Sequence, residues 1–176
     1  MPRRADVPNA LLRPLRPPFS YRHRAKEVNN MQIRTLNYDD LDSLLGLYEH
    51  LFETDAPLPG REEVIRVWRC IIENPMLRCL GLELDGKLLS SCTLTVTPNL
   101  TRGARPYGQI ENVVTHSEYR RRGFGQALIQ RALSIAWDHR CYKVMLMTGR
   151  LDVHDFYQEC GFRKDVKTGF VAYPPM

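Results

Sequence analysis

Glu111-Asn112-Val113-Val114-Thr115-His116-Ser117-Glu118-Tyr119-Arg120-Arg121-Arg122-Gly123-Phe124-Gly125-Gln126-Ala127-Leu128-Ile129 reads as a β-strand, an arginine-rich loop, two glycines and then a helix. A helix that opens on a glycine loop presents backbone N–H groups with no partner inside the helix. Those donors, together with the positive end of the helix dipole, suit an anionic phosphate. Gly123 and Gly125 lack a Cβ, so a ligand can come close to the backbone there. Arg120, Arg121 and Arg122 place positive charge beside the same spot.

Upstream, Met31–Leu36 alternates as a strand does. Asn37 then caps a helix with Leu41, Leu44, Leu45, Tyr48 and Phe52 at helical spacing. Ala56-Pro57-Leu58-Pro59-Gly60 is loop chemistry. A second helix from Arg61 to Glu73 carries Val64, Val67, Trp68, Ile71 and Ile72 on one side and is blocked by Pro75. Asp85-Gly86 joins strands Leu77–Leu84 and Lys87–Thr97 as a two-residue hairpin. A polar loop from Pro98 to Pro106 leads into the strand Tyr107–Thr115. Downstream, the helix after Gly123 turns Phe124, Leu128, Ala132, Leu133, Ala136 and Trp137 inward and ends near His139. Tyr142–Met147 has the length of a buried strand, Asp152–Cys160 reads as a short helix stopped by Gly161, and Phe162–Tyr173 is expected to close the chain with one or two strands. The order β-α-α-β-β-β-α-β-α-β is an α/β pattern with a right-handed βαβ unit at its centre.

The chain has 176 residues and a net charge of +5. That is enough for one domain with a core. Residues 1–30 hold seven Arg/Lys against two Asp/Glu, so residues 31–176, with 18 of each sign, are neutral. Five prolines among the first 18 residues oppose a regular helix. We expect 1–30 to be a basic, proline-rich, disordered extension and 31–176 to be the folded domain. No apolar run reaches the ~18–20 residues needed to span a bilayer, and no basic surface interleaved with aromatics indicates nucleic acid. The five cysteines, Cys70, Cys79, Cys92, Cys141 and Cys160, show neither C-x-x-C nor zinc-ligand spacing. They read as reduced, mostly buried thiols in a cytoplasmic protein, with Cys160 the one near the glycine loop. The histidines have no ligand spacing, so no metal is expected.

Arg120-x-x-Gly123-x-Gly125 resembles the R/Q-x-x-G-x-G/A signature of the GCN5-related N-acetyltransferases (GNAT). The Glu111–Val114 strand lies upstream at the family's distance. Phe156-Tyr157-Gln158-Glu159-Cys160-Gly161-Phe162 looks like the family's F-Y-x-x-x-G-F ending. The resemblance covers about residues 31–176 and is strongest over 107–162. It implies a GNAT-type acyl-CoA N-acyltransferase fold, with a mixed central sheet and flanking helices, and transfer of acetyl from acetyl-CoA to a primary amine. It also implies that Val113, Val114 and Thr115 pair with the pantetheine arm, and that Arg120, Arg121, Arg122, Gly123, Phe124, Gly125 and Gln126 cradle the pyrophosphate. Many relatives carry an asparagine six residues before the tyrosine that contacts the cofactor arm. Here that position is Leu151.

An alkyl ammonium of pKa ~10.4 is only about one part in ~2,500 neutral at pH 7, so the reaction calls for a base. By resemblance that base is Glu111. Tyr157, with a phenol pKa near ~10, stays protonated at neutral pH and by resemblance is the acid that protonates the leaving thiolate. Glu49, Glu53 and Asp55 cluster at the first helix end and suit an ammonium, while Arg102 and Arg105 suit an anion. The expected substrate is a small amine that also carries an anionic group: an amino acid, an aminosugar phosphate or an aminophosphonate. A non-catalytic acetyl-CoA sensor and an enzyme acting on a protein or peptide amine are the alternatives. No nucleic-acid or membrane partner is expected, and the reading allows a homodimer.

Overall fold

The structure is a computed structural model that describes residues 30–52 and 54–175. The expectations for residues 1–29 and Glu53 lie outside the described residues. Five strands form one sheet in the order β1 (Met31–Thr35), β2 (Leu77–Leu84), β3 (Lys87–Thr97), β4 (Tyr107–Thr115) and β5 (Val144–Met145). The first four pair antiparallel, and β5 joins β4 in parallel. The β2–β3 hairpin turns on Asp85 and Gly86, at φ 52° and 75°, the double positive φ that a two-residue turn requires.

Helices α1 (Leu41–Tyr48) and α2 (Arg61–Glu73) cover one face. Their Leu41, Leu44, Leu47 and Trp68 pack with Leu36, Cys79, Leu88 and Val114. A short turn, α3 (Thr101–Ala104), lies in the β3–β4 loop, with Arg102 and Gly103 in the left-handed region. On the other face, α4 (Phe124–Asp138) sets Leu128, Ile129, Ala132 and Ala136 against Leu80, Leu82, Cys92, Leu94 and Ile110. A 3₁₀ turn, Leu151–Val153, leads into α5 (His154–Glu159). Gly161, at φ 96°, ends that helix as expected.

The alternation of β2 sends Cys79 to the α1/α2 side and Leu80 to the α4 side. In β4 the alternation breaks. Ile110 faces the α4 core, yet Val114, four residues later, faces the α1/α2 core. An uninterrupted strand would put both on one face. The register accounts for the switch: Thr93 lies opposite Glu111 and Ser91 opposite Val114, so β4 carries one extra residue. Asn112, at φ 52°, absorbs it as a β-bulge.

The sequence reading needs correction in three places. Tyr142–Met147 forms only the two-residue β5. After α5 no strand forms among the described residues, and Phe170 and Tyr173 are exposed. The run Arg163-Lys164-Asp165-Val166-Lys167 has too little apolar alternation to hold an edge. Trp137 on α4 and Val67 on α2 are exposed rather than turned to the core, and Phe52, also exposed, lies past the end of α1 at Tyr48.

Arg34 on β1 ties the first helical layer to the sheet. Its guanidinium donates to both Asp40 oxygens, at 2.7 and 2.6 Å, and also to Glu83 on β2. Asp40 in turn accepts from the Asn37 backbone N–H at 2.7 Å and completes the capping box. The hydrogen bond from Arg34 holds the Asp40 carboxyl below the usual carboxylate range. Its stabilisation is therefore complete above the unfolded value near ~3.9 and is lost as pH falls through the lower folded value. Arg34→Met should lower unfolding free energy by about 2 kcal/mol at pH 7. Urea melts of the two proteins should converge at acidic pH as Asp40 protonates.

Candidate active site

The β4–β5 pairing consists of two rungs, Gly108↔Val144 and Gln109↔Met145. Beyond them β4 runs on to Thr115 with no strand on that side among the described residues. The sheet therefore opens into a wedge, and the β4 backbone from Glu111 onward can accept an extended, amide-bearing ligand as a further strand. Thr115 and Val114 are fixed from the opposite side. The Ser90 hydroxyl donates to the Val114 carbonyl at 2.7 Å and shares a 2.8 Å hydrogen bond with Thr115 Oγ1. Val113 packs toward the α4 core.

At the wide end of the wedge lies the glycine loop. Gly123, at φ 85°, is the N-cap of α4. The Ala127 N–H donates to the Gly123 carbonyl at 2.9 Å. The N–H groups of Phe124, Gly125 and Gln126 precede it in the first turn and have no carbonyl one turn back, an arrangement suited to a diphosphate. Gly125 also sits at a close approach of three elements. A Cβ there would lie 3.3 Å from both Phe156 Cζ and Thr115 Oγ1, so this glycine lets β4, α4 and α5 meet. The arginines are partly structural. Arg120 donates from Nε to the Thr115 carbonyl at 3.2 Å and from Nη2 to the His50 carbonyl at 2.7 Å, bracing the loop against the end of α1. Arg122 lies over the Tyr119 ring, 4.9 Å from its centroid. Arg121, at φ 62°, is exposed.

Glu111 on β4 and Tyr157 on α5 are both half-buried beside the wedge. Glu111 Oε1 accepts from Gln109 Nε2 at 2.6 Å. Tyr157 sits between Phe156 and Phe162, with ring centroids 5.0 and 6.2 Å away. Burial pushes its phenol above the ordinary range, against the opposing charge of Arg150 and with a smaller contribution from Glu111. The site thus combines a carboxylate able to take a proton with a neutral phenol able to give one. Cys160 is buried, and its thiol is pushed up to about 12 by that burial, so it is no nucleophile at neutral pH.

Other expected groups lie further out. Asp55 is exposed and accepts from the Ala56 N–H at 2.7 Å. Arg102 and Arg105 are exposed on the β3–β4 loop, where Asn99 Nδ2 donates to the Thr101 and Arg105 carbonyls at 2.9 and 3.1 Å. No hydrogen bond or ion pair joins Asp55 to either arginine among the described residues. Leu151 is 80% exposed and offers no polar contact in place of an asparagine. A cavity of about 430 Å³ between α1 and the β2–β3 turn is bordered by His50, Lys87 and His116 but not by Glu111 or Tyr157. Among the described residues no group of three or more His, Cys, Asp and Glu could hold a metal ion, and no helix is long and apolar enough to cross a membrane. Sequence reasoning missed Gln109 and the bulge at Asn112. The polar residue two before Glu111 was the available signal for the first.

The family model described as "Acetyltransferase (GNAT) family" matches residues 41–162. The chain belongs to this family. As a GNAT protein it is an N-acetyltransferase, and the family's acetyl donor is acetyl-CoA. A glucosamine 6-phosphate N-acetyltransferase of Trypanosoma brucei brucei is 33% identical over 144 residues, which span 78% of this chain and 92% of that protein. A putative acetyltransferase from Agrobacterium tumefaciens str. C58 has a solved structure matching with a TM-score of 0.76 at 41% identity, covering 81% of this chain and 99% of that one. A predicted acetyltransferase from Clostridium acetobutylicum, solved with acetyl-CoA, shares the fold with a TM-score of 0.66 at 17% identity, covering 81% and 96%.

The thiols give a direct check on this packing. Cys70 is exposed and the other four cysteines are buried. A native-state thiol titration should therefore release one equivalent rapidly and the remaining four only on unfolding. Rapid reaction of Cys160 would contradict its burial against α4 and α5.

Proposed function

We propose that this GNAT enzyme acetylates the amine of an aminosugar phosphate, with glucosamine 6-phosphate the first compound to test. The observation that carries the reading is the 33% identity to the Trypanosoma brucei brucei glucosamine 6-phosphate N-acetyltransferase across 92% of its length. The charge balance of the chain agrees with it. Arg102 and Arg105 are exposed and make no ion pair among the described residues, which leaves them available to a phosphate. Glu53 and Asp55 supply negative charge for an ammonium. Free buried thiols suit a reducing cytoplasm.

In the proposed mechanism acetyl-CoA supplies an activated thioester, whose acyl carbon forms a C–N bond with the amine as its C–S bond breaks. The N–H groups of Phe124, Gly125 and Gln126 hold the pyrophosphate, with Arg121 and Arg122 adding charge. The backbone of Val113–Thr115 aligns the pantetheine arm. Glu111 accepts the proton that the amine loses. Tyr157 donates its phenolic proton to the departing sulfur, a role favoured by burial that keeps the phenol neutral. Arg120 and Gly125 contribute by holding the loop in shape.

An amine panel scored for CoA release should rank glucosamine 6-phosphate above unphosphorylated glucosamine, amino acids, polyamines and lysine peptides. Preference for a lysine peptide would overturn the substrate reading. Tyr157→Phe should keep the fold and acetyl-CoA affinity while kcat falls ~10²–10⁴-fold. Gln126→Glu should leave Tm unchanged or slightly raised, because a carboxylate in the first helical turn is favourable. It should also weaken CoA binding by ~10-fold or more through repulsion of the pyrophosphate. Unchanged CoA affinity in that variant, measured by calorimetry, would remove the phosphate from this loop.

A further inference from the structure

We propose that Gln109 is a positioning residue for the Glu111 carboxylate, holding it in one orientation at the mouth of the wedge. The inference rests on the reading of Glu111 as the base. Residues two apart on a strand share a face, and Gln109 and Glu111 lie opposite Thr95 and Thr93 of β3. The contact between them, Gln109 Nε2 to Glu111 Oε1 at 2.6 Å, is short for N–H···O and is strengthened by the carboxylate charge.

The two residues differ in how firmly the sheet holds them. Gln109 occupies the last β4–β5 rung, paired with Thr95 on one side and Met145 on the other. Glu111 lies past that rung, is flanked among the described residues by β3 alone, and immediately precedes the bulge at Asn112. The final torsion of a glutamate is broad, so an unsupported carboxylate at this place samples many orientations. Gln109 carries the order of the paired sheet two residues into the opened region. No other side-chain hydrogen bond reaches Glu111 among the described residues, which leaves Oε2 for the amine proton.

The side-chain type fits the task. An amide donates through its NH₂ group, has no charge at any pH, and holds a carboxylate without adding a cation that would oppose proton uptake. A lysine or arginine at 109 would hold the group equally well but weaken it as a base. Misplacement of a reacting group by about 1 Å can cost ~10²-fold, so one orienting bond suffices to be felt in turnover.

The test is a double-mutant cycle with Gln109→Leu and Glu111→Gln, in which kcat, amine KM and acetyl-CoA Kd are measured on the full chain. Acetylated product is collected over hours, so that a ~10⁴-fold loss stays measurable. Gln109→Leu alone should lower kcat ~10-fold with acetyl-CoA Kd unchanged. In the Glu111→Gln background the same change should have no further effect, because the group being positioned no longer accepts a proton. A purely structural Gln109 would cost the same factor in both backgrounds, and that result would overturn the proposal, as would wild-type kcat in Gln109→Leu. Wild-type kcat in Glu111→Gln would instead remove the base itself, and the positioning role with it. Gln109→Met, which also removes the donor, replaces Gln109→Leu if that variant does not fold.

Discussion

The proposed site depends on β4 and β5 separating after two rungs. A parallel pair that continued would cover the β4 backbone and leave no groove. Two features cause the separation. β5 is limited to Val144–Met145, and β4 is re-aimed by the extra residue at Asn112. The bulge moves the strand's inward residues from the α4 core at Ile110 to the α1/α2 core at Val114. Between those two anchors the backbone of β4 turns into the wedge, and α4 starts directly beyond it.

That placement gives the glycine loop two duties. The first-turn N–H groups of Phe124, Gly125 and Gln126 have no carbonyl one turn back and carry the proposed diphosphate site, while the residues around them hold the loop in shape. Arg120 reaches the carbonyls of Thr115 and His50, and Gly125 makes room for Phe156 and Thr115. Contacts of this kind, present without any ligand, lower the ordering cost of binding. Arg34 does the same for the first helical layer, which its bonds to Asp40 and Glu83 tie to the sheet.

The proposed base and acid come from different elements, Glu111 from the sheet and Tyr157 from α5. Burial keeps the phenol protonated, and it keeps Cys160 from competing as a thiolate.

The amino-acid sequence by itself determined the elements whose signals are local. α2, β2, β3 and β4 have the bounds read from periodicity, the Asp85-Gly86 turn has the backbone its residues demand, and Asn37 caps the first helical layer. The glycine turn that opens α4 was legible for the same reason, since glycines at a helix start act through their own backbone. Tertiary structure decided what depends on distant partners. It shortened Tyr142–Met147 to a two-residue strand, left Phe162–Tyr173 without one, and turned Trp137 outward. It tied Arg120 to the carbonyls of Thr115 and His50, and it joined Gln109 to Glu111 past the last β4–β5 rung. Pairing length, bulges and side-chain partners are set by which surfaces meet across the fold, and no local pattern of residues encodes that meeting.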